Sequence, residues 1–316
     1  MQGKGIAVDE ANMLMNPVLT DLEDLIETSN KVTRLIFDNE ISMCAIYPAK
    51  VGLCSGDCAF CSQSVHHKCD ITPISVDVLD ENEIITNAKE LFRLGVQRYS
   101  LVTSGERLTD VEFDCILRIF NRLSKETDIN LCASLGSLTQ TRAVKLKEAG
   151  VSHYHHNIET SRSYFPQICS AHSYDDRIET ISIARQAGME ICCGGIIAMG
   201  ETPEQRVEMA FALKEIDAVC VPINILDPIP GTRLENQVPL HADEILRTIS
   251  VFRLILPNKI LKFAGGREKA LGINEYKGYT AGINSMIVGN YLTTNGKDIG
   301  QEINNLNAVG YVLASL

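Results

Sequence analysis

Three cysteines, Cys54, Cys58 and Cys61, fall within CSGDCAFCSQS (54–64), and no fourth follows at ligand spacing. Thiols this close together are soft-metal ligands or redox partners. A zinc knuckle pairs two CxxC-like clips; no second clip exists here, although His66 and His67 stand nearby. A redox pair at Cys58 and Cys61 has no need of Cys54. Beside these readings, and that of an incidental grouping, stands a further alternative, a four-iron cluster on three thiolates. It leaves one iron open to a small molecule, by the logic that keeps one position of a catalytic zinc open.

The scaffold for that chemistry shows as a rhythm. ENEIITNAKELFRLG (81–95) has apolar positions at helical spacing and a closing glycine, and VQRYSLVTSG (96–105) reads as a strand. The same unit recurs at 141–161 and 176–200, with further strands at 129–136, 219–228 and 258–266 and a partial one at 282–291. Alternation of this kind predicts right-handed βα units on a parallel sheet. No glycine-rich dinucleotide loop opens the first helix. The expectation is therefore an α/β fold, a single-domain (β/α) barrel of the TIM-barrel type with its chemistry at the C-terminal ends of the strands. Residues 1–40 form a helical preamble, 41–295 the barrel and 296–316 a C-terminal helix.

Composition narrows the class. The chain has 316 residues, 45% of them hydrophobic, and a formal net charge of −11 with acids and bases interspersed. That disfavours nucleic-acid backbones and offers no polybasic membrane anchor. No apolar run approaches the ~20 residues of a membrane span, and no signal-peptide pattern opens the chain. A cytoplasmic protein is expected. In a reducing compartment the 11 cysteines are metal ligands or small buried hydrophobes rather than disulfides.

The CxxxCxxC spacing, with Phe60 before the last cysteine, resembles that of radical S-adenosylmethionine enzymes. KVGLCSGDCAFCSQSVHHK further resembles the signature loop of the biotin synthase family. YHHNIETS (154–161), ICCGGIIAMGET (191–202), VPINIL (221–226), LCASLGSL (131–138), AGGRE (264–268) and AGINSMIVGNYLTT (281–294) correspond to that family's motifs in order. The resemblance implies a radical barrel enzyme that inserts sulfur into dethiobiotin. Its cofactor would be a 4Fe-4S cluster on Cys54, Cys58 and Cys61 that binds S-adenosylmethionine and releases a 5′-deoxyadenosyl radical.

Asn157 and Glu159 are two apart on one expected strand, so both can face the barrel mouth; Glu159 suits a ribose diol and Asn157 a ribose or ureido group. The Gly194–Gly195 pair would let backbone approach adenosine closely. The resemblance places S-adenosylmethionine against Asn157, Glu159, Gly194, Gly195, Ile196 and Thr103. It places dethiobiotin against Asn157, His155, Asn224, Thr293 and Thr294, with His155 standing where the family motif has asparagine.

A second cluster, of two irons, is held in that family by three strand cysteines and an arginine. Here two of the cysteine positions match Cys132 and Cys192, the third is Ser100, and the arginine position is Lys262, a poor replacement for guanidinium at a ligand site. Two other cysteines, Cys44 and Cys220, occupy positions where the family has serine. By period-two parity Cys220 shares a face with Asn224, and Cys192 with Gly194. Cys44, Cys132, Cys192 and Cys220 therefore form a candidate ligand set for a four-iron auxiliary iron–sulfur cluster, with Lys262, Ser100 and Ser285 close by. The alternative is that Cys44 and Cys220 only pack. Cys69, Cys115, Cys169 and Cys193 are assigned to packing or surface. Two other functions stay open: a hydrogenase-cofactor maturase-like enzyme, and a non-catalytic iron–sulfur carrier. A flavodoxin- or ferredoxin-type electron donor and a homodimer are the expected partners.

Overall fold

The structure, a computed structural model, describes residues 4–292 and 296–315. Two helices, α1 (Val8–Met15) and α2 (Leu22–Phe37), precede the first strand, β1 (Glu40–Lys50). The repeating units follow: α3 (Glu81–Arg93), β2 (Arg98–Thr103), α4 (Asp110–Glu126), β3 (Asn130–Ser134), α5 (Gln140–Glu148), β4 (Val151–His155), α6 (Phe165–Ile168) and α7 (Tyr174–Gln186). Next come β5 (Glu190–Cys192), β6 (Gly195–Ile197), α8 (Pro203–Glu215), β7 (Cys220–Ile225), α9 (Ala242–Ile255) and β8 (Ile260–Phe263). The chain ends through α10 (Arg267–Leu271), α11 (Glu275–Thr280), β9 (Ser285–Val288), α12 (Ile299–Ala308) and β10 (Val312–Leu313).

Local chemistry sets the helix ends. The side chains of Asp80, Thr109, Thr139, Ser173 and Thr202 accept from backbone N–H groups at the starts of α3, α4, α5, α7 and α8. Gly95, Gly150 and Gly188 then turn the chain out of α3, α5 and α7 with φ of 89°, 94° and 83°, a region where glycine carries no Cβ penalty.

All strand pairings in the barrel are parallel, and β1 pairs with β9 from Ser42↔Ser285 to Ala45↔Val288, which closes the sheet on itself. One stave is split. β5 stops at Cys192, opposite Cys220, and β6 resumes at Gly195, opposite Ile223. The preamble helices pack on α8 and α9, and Arg247 of α9 donates to Leu14 O and Thr20 O at 2.9 and 3.0 Å. The closing segment is more than the expected helix, because β10 adds a short parallel strand to the base of β1 at Glu40↔Val312. No helix among the described residues is long and apolar enough to cross a membrane.

Candidate active site

The cysteine triad sits on the loop that leaves β1. Cys54 N donates to Gln63 O at 3.0 Å, Cys61 N to Cys58 O at 2.9 Å, and Ser64 Oγ to Gly56 O at 2.6 Å. These bonds fold the loop over itself, and Asp57 anchors it. The Asp57 carboxylate accepts from Ser170 N and Ala171 N, both at 2.9 Å, and from the Ser170 hydroxyl. Arg233 clamps the same junction by donating to Asp57 O and Ile168 O at 2.8 and 3.0 Å. Burial pushes the Asp57 carboxyl up, but the bonds from Ser170 and Ala171 outweigh it and hold the group well below the ordinary carboxylate range.

Cys169, assigned from sequence to packing or surface, is buried beside the triad with its sulfur 3.8 Å from Cys58 Sγ. With His172 these two bring three ligand atoms within 4.8 Å of one another. Arg177, however, donates to His172 Nε2 at 2.9 Å, so a hydrogen-bonded group rather than an ion accounts for the contact.

Cys54, Cys58 and Cys61 face a cavity of about 200 Å³ that Thr103, Asn157 and Glu159 also line. Asn157 and Glu159 reach it differently from the expectation. Strand β4 ends at His155, and both residues lie on the loop beyond, with Glu159 in the left-handed region at φ 66°. The two side chains meet nonetheless: Asn157 Nδ2 donates to Glu159 Oε2 at 3.4 Å, and Asn157 Oδ1 accepts from Gly194 N at 3.0 Å. Between them and the triad stands Arg177 of α7, 3.3 Å from Glu159 and donating to Asn157 O at 2.9 Å. Nothing in the local sequence DDRIE marked Arg177; only the fold brings it here.

The glycine pair also answers a packing demand. A Cβ on Gly194 would sit 1.9 Å from Pro222 O, and one on Gly195 2.5 Å from both Glu159 O and Met209 Sδ. Close packing of β6 against β7 and the Glu159 loop requires them, while Ile196 lines a second, deeper cavity. Thr293 and Thr294 lie outside the described residues; Tyr291 and Leu292, just before them, line the deeper cavity.

That deeper cavity has a volume of about 440 Å³ and shares His155, Asn157 and Glu159 with the first. Cys44, Cys132, Cys192 and Cys220 all line it, together with Ser100, Lys262 and Arg98, which sequence reasoning missed. All four thiols are buried. Among the described residues neither they nor the triad form the tight group, three ligand atoms within 4.8 Å, that a single ion needs. Lys262 Nζ lies 3.8 Å from Cys192 Sγ, and His155 Nδ1 lies 3.4 Å from the same sulfur. Burial, helped by the Lys262 charge, lowers the His155 pKa to about 4, so that imidazole is neutral at pH 7.

Two residues are placed less freely than expected. The Asn224 amide bridges backbone, donating to Gly195 O and accepting from Gly265 N at 3.1 Å each, which leaves one N–H and one lone pair for a ligand. Ser285 turns its hydroxyl to Ser42 O at 3.1 Å. His153 faces the deeper cavity with Nε2 2.7 Å from Glu190, whereas His156 faces the triad cavity.

Family profiles match the chain in two blocks. The Radical SAM superfamily covers residues 51–213, and the Biotin and Thiamin Synthesis associated domain covers 222–312. The biotin synthase of Acetivibrio thermocellus is 48% identical over 98% of this chain and 95% of its own length. That of Caldicellulosiruptor bescii is 47% identical over 97% and 90%. Among solved structures, a methylornithine synthase superposes with a TM-score of 0.82 at 18% identity, covering 99% of this chain and 95% of that one. The FeFe-hydrogenase maturase of Carboxydothermus hydrogenoformans superposes with 0.83 at 17% identity, covering 99% and 77%. At such identities the superpositions speak to the barrel alone. The full-length sequence matches go further: this chain belongs to the biotin synthase family of radical S-adenosylmethionine enzymes.

Proposed function

We propose that the chain converts dethiobiotin to biotin by radical sulfur insertion, using two iron–sulfur clusters. The observation that carries this is a pair of thiol sets on adjoining cavities, the triad half-buried and the strand set buried, with His155, Asn157 and Glu159 lining both cavities. An all-thiol donor set suits iron–sulfur clusters. Cys54, Cys58 and Cys61 would hold a 4Fe-4S cluster. Cys44, Cys132, Cys192 and Cys220, one from each of four strands, would hold a four-iron auxiliary cluster. When bound, the first group with S-adenosylmethionine supplies the 5′-deoxyadenosyl radical, and the second supplies sulfide.

The chain's own residues bind and orient. Glu159 accepts hydrogen bonds from the ribose hydroxyls, and Arg177 offers a planar fork of donors to the carboxylate of S-adenosylmethionine. Asn157 braces Glu159 and the Gly194 backbone. The remaining donor and acceptor of Asn224 would serve the ureido ring, and the resemblance assigns Thr293 and Thr294 to the substrate tail. The barrel wall keeps water from the carbon radical. A flavodoxin- or ferredoxin-type protein supplies the electron, and the enzyme works as a homodimer.

Anaerobic incubation of the reduced, cluster-loaded protein with S-adenosylmethionine and dethiobiotin tests the reading. Deoxyadenosine together with biotin is expected. Deoxyadenosine alone would point to a maturase-like enzyme, and neither product to an iron–sulfur carrier. Iron analysis tests the cluster assignment separately. A C54S/C58S/C61S variant is expected to keep about four irons per chain; two, or none, would overturn a four-iron auxiliary cluster.

A further inference from the structure

Other buried cations here are matched by carbonyl oxygens or by carboxylates: Arg247 donates to Leu14 O and Thr20 O, and Arg253 to Gly282 O and Lys259 O. Arg206 pairs with Glu201 and Glu244, and Arg267 with Glu275 and Glu302. Lys262 and Arg98 are different. Lys262 is 3% exposed, and its ammonium is directed at Cys192 Sγ, 3.8 Å away. Arg98 opens β2 in register with Cys44 of β1 and faces the same cavity from the other side of the barrel. Among the described residues neither has a carboxylate partner, and both line the cavity that Cys44, Cys132, Cys192 and Cys220 share. Taking a cation out of water without a counter-charge costs several kcal/mol. Two cations around four thiols therefore mark a site built to carry more negative charge than the protein elsewhere supplies.

We propose that Arg98 and Lys262 are a charge-balancing pair that raises the reduction potential of the auxiliary cluster held by those four thiols, which makes the cluster an electron acceptor during sulfur insertion. The electron count calls for an acceptor. A carbon radical brings one electron and a sulfide lone pair two; the carbon–sulfur bond keeps two, and the third passes to iron, ferric becoming ferrous. No outside oxidant is required. Two fixed positive charges in a low-dielectric cavity favour the more negative, reduced form. The pair acts on the cluster through its field and does not touch the reacting carbon. This inference rests on the auxiliary-cluster reading above.

The test uses full-length C54S/C58S/C61S protein loaded anaerobically with iron and sulfide, so that only the auxiliary cluster titrates. Its midpoint potential is followed by electron paramagnetic resonance in five further backgrounds: Arg98→Gln, Lys262→Gln, the double Gln variant, Arg98→Lys and Lys262→Arg. Each charge-removing variant is expected to titrate at a lower potential, the double Gln variant lower still, and the charge-keeping swaps close to the parent. Iron lost from the Gln variants but kept by the swaps supports the same conclusion, because charge and not shape is then what holds the cluster. Potentials that stay together in all variants would overturn it, as would swaps that move the potential as far as the Gln variants do. A parent that holds no iron would remove the auxiliary cluster itself, and this inference with it.

Discussion

Asp57 stands between Cys54 and Cys58, two of the proposed cluster ligands, yet is bound into the protein on its far side, by Ser170, Ala171 and the Arg233 clamp. Groups that orient ligands from behind typically change metal affinity by ~10–100-fold when removed. Asp57→Ala is accordingly expected to lose iron from the triad to a chelator faster by about that factor, followed by absorbance. Unchanged iron loss would leave Asp57 as a surface anchor only. Arg177 makes the complementary prediction on the ligand side. Replacing a charged hydrogen bond of ~1.5–3 kcal/mol makes Arg177→Ala weaken S-adenosylmethionine binding by about tenfold or more, with Arg177→Lys in between. Perturbation of the triad cluster's resonance signal on titration reads this directly. The sequence displayed the triad because its three thiols are local. It did not display Asp57, Arg177 or Arg98, whose partners lie far off in the chain and whose residue types are ordinary on helices, loops and strands.

Among the elements, the split stave and the end of β4 determine the site. The alternating pattern of helices and strands was legible because each helix carries its own cap and each strand its own apolar run. The interruption after Cys192 was not, since a break in a strand depends on what the neighbouring strand presses against it. A Cβ at Gly194 meets Pro222 backbone at 1.9 Å, and backbone cannot yield as a side-chain tip would. Gly194→Ala is therefore expected to destabilise the fold by ~1–3 kcal/mol, read as an earlier urea midpoint. The same reasoning shows why strand parity does not describe Asn157 and Glu159: β4 ends at His155, and both residues lie on the loop beyond, Glu159 in the left-handed region.

The β4 region also carries a pH dependence. Burial, then the Lys262 charge, lowers His155 from 6.5 to about 4, and burial, then the Arg177 charge, lowers His156 well below 6.5. The unfolded chain takes up these protons first as pH falls. Their contribution to stability is thus full above ~6.5 and is lost on acidification from there toward 4. His155→Asn is expected to flatten the fall in stability between pH 6.5 and 5 by up to ~1.4 kcal/mol per pH unit, one proton's share. Denaturation at several pH values checks it; identical slopes would contradict the assignment.

At the level of the whole molecule, closure of the barrel depends on one buried guanidinium. Arg253, at the end of α9, donates to Gly282 O at 2.7 Å, Lys259 O at 2.8 Å and Asn284 Oδ1 at 2.7 Å, joining the segments that enter β8 and β9. Burial lowers its pKa to about 9, so it remains charged at neutral pH. Arg253→Met would leave several buried acceptors unpartnered and is expected to cost ~3 kcal/mol or more, seen as a shift of the unfolding midpoint. A shift below ~1 kcal/mol would mean that β1–β9 pairing closes the barrel unaided.

The two thiol sets differ in how they come together in time. The triad lies on one short loop, so its sulfurs are neighbours as soon as that loop leaves the ribosome. Cys44, Cys132, Cys192 and Cys220 become neighbours only after the sheet has curled from β1 to β7, which is a late event for contacts so distant along the chain. Maturation of this protein should therefore be ordered. If the two sets hold clusters as proposed, the triad can be filled on a nascent chain, whereas the four strand thiols would be filled through the mouth of an already folded barrel.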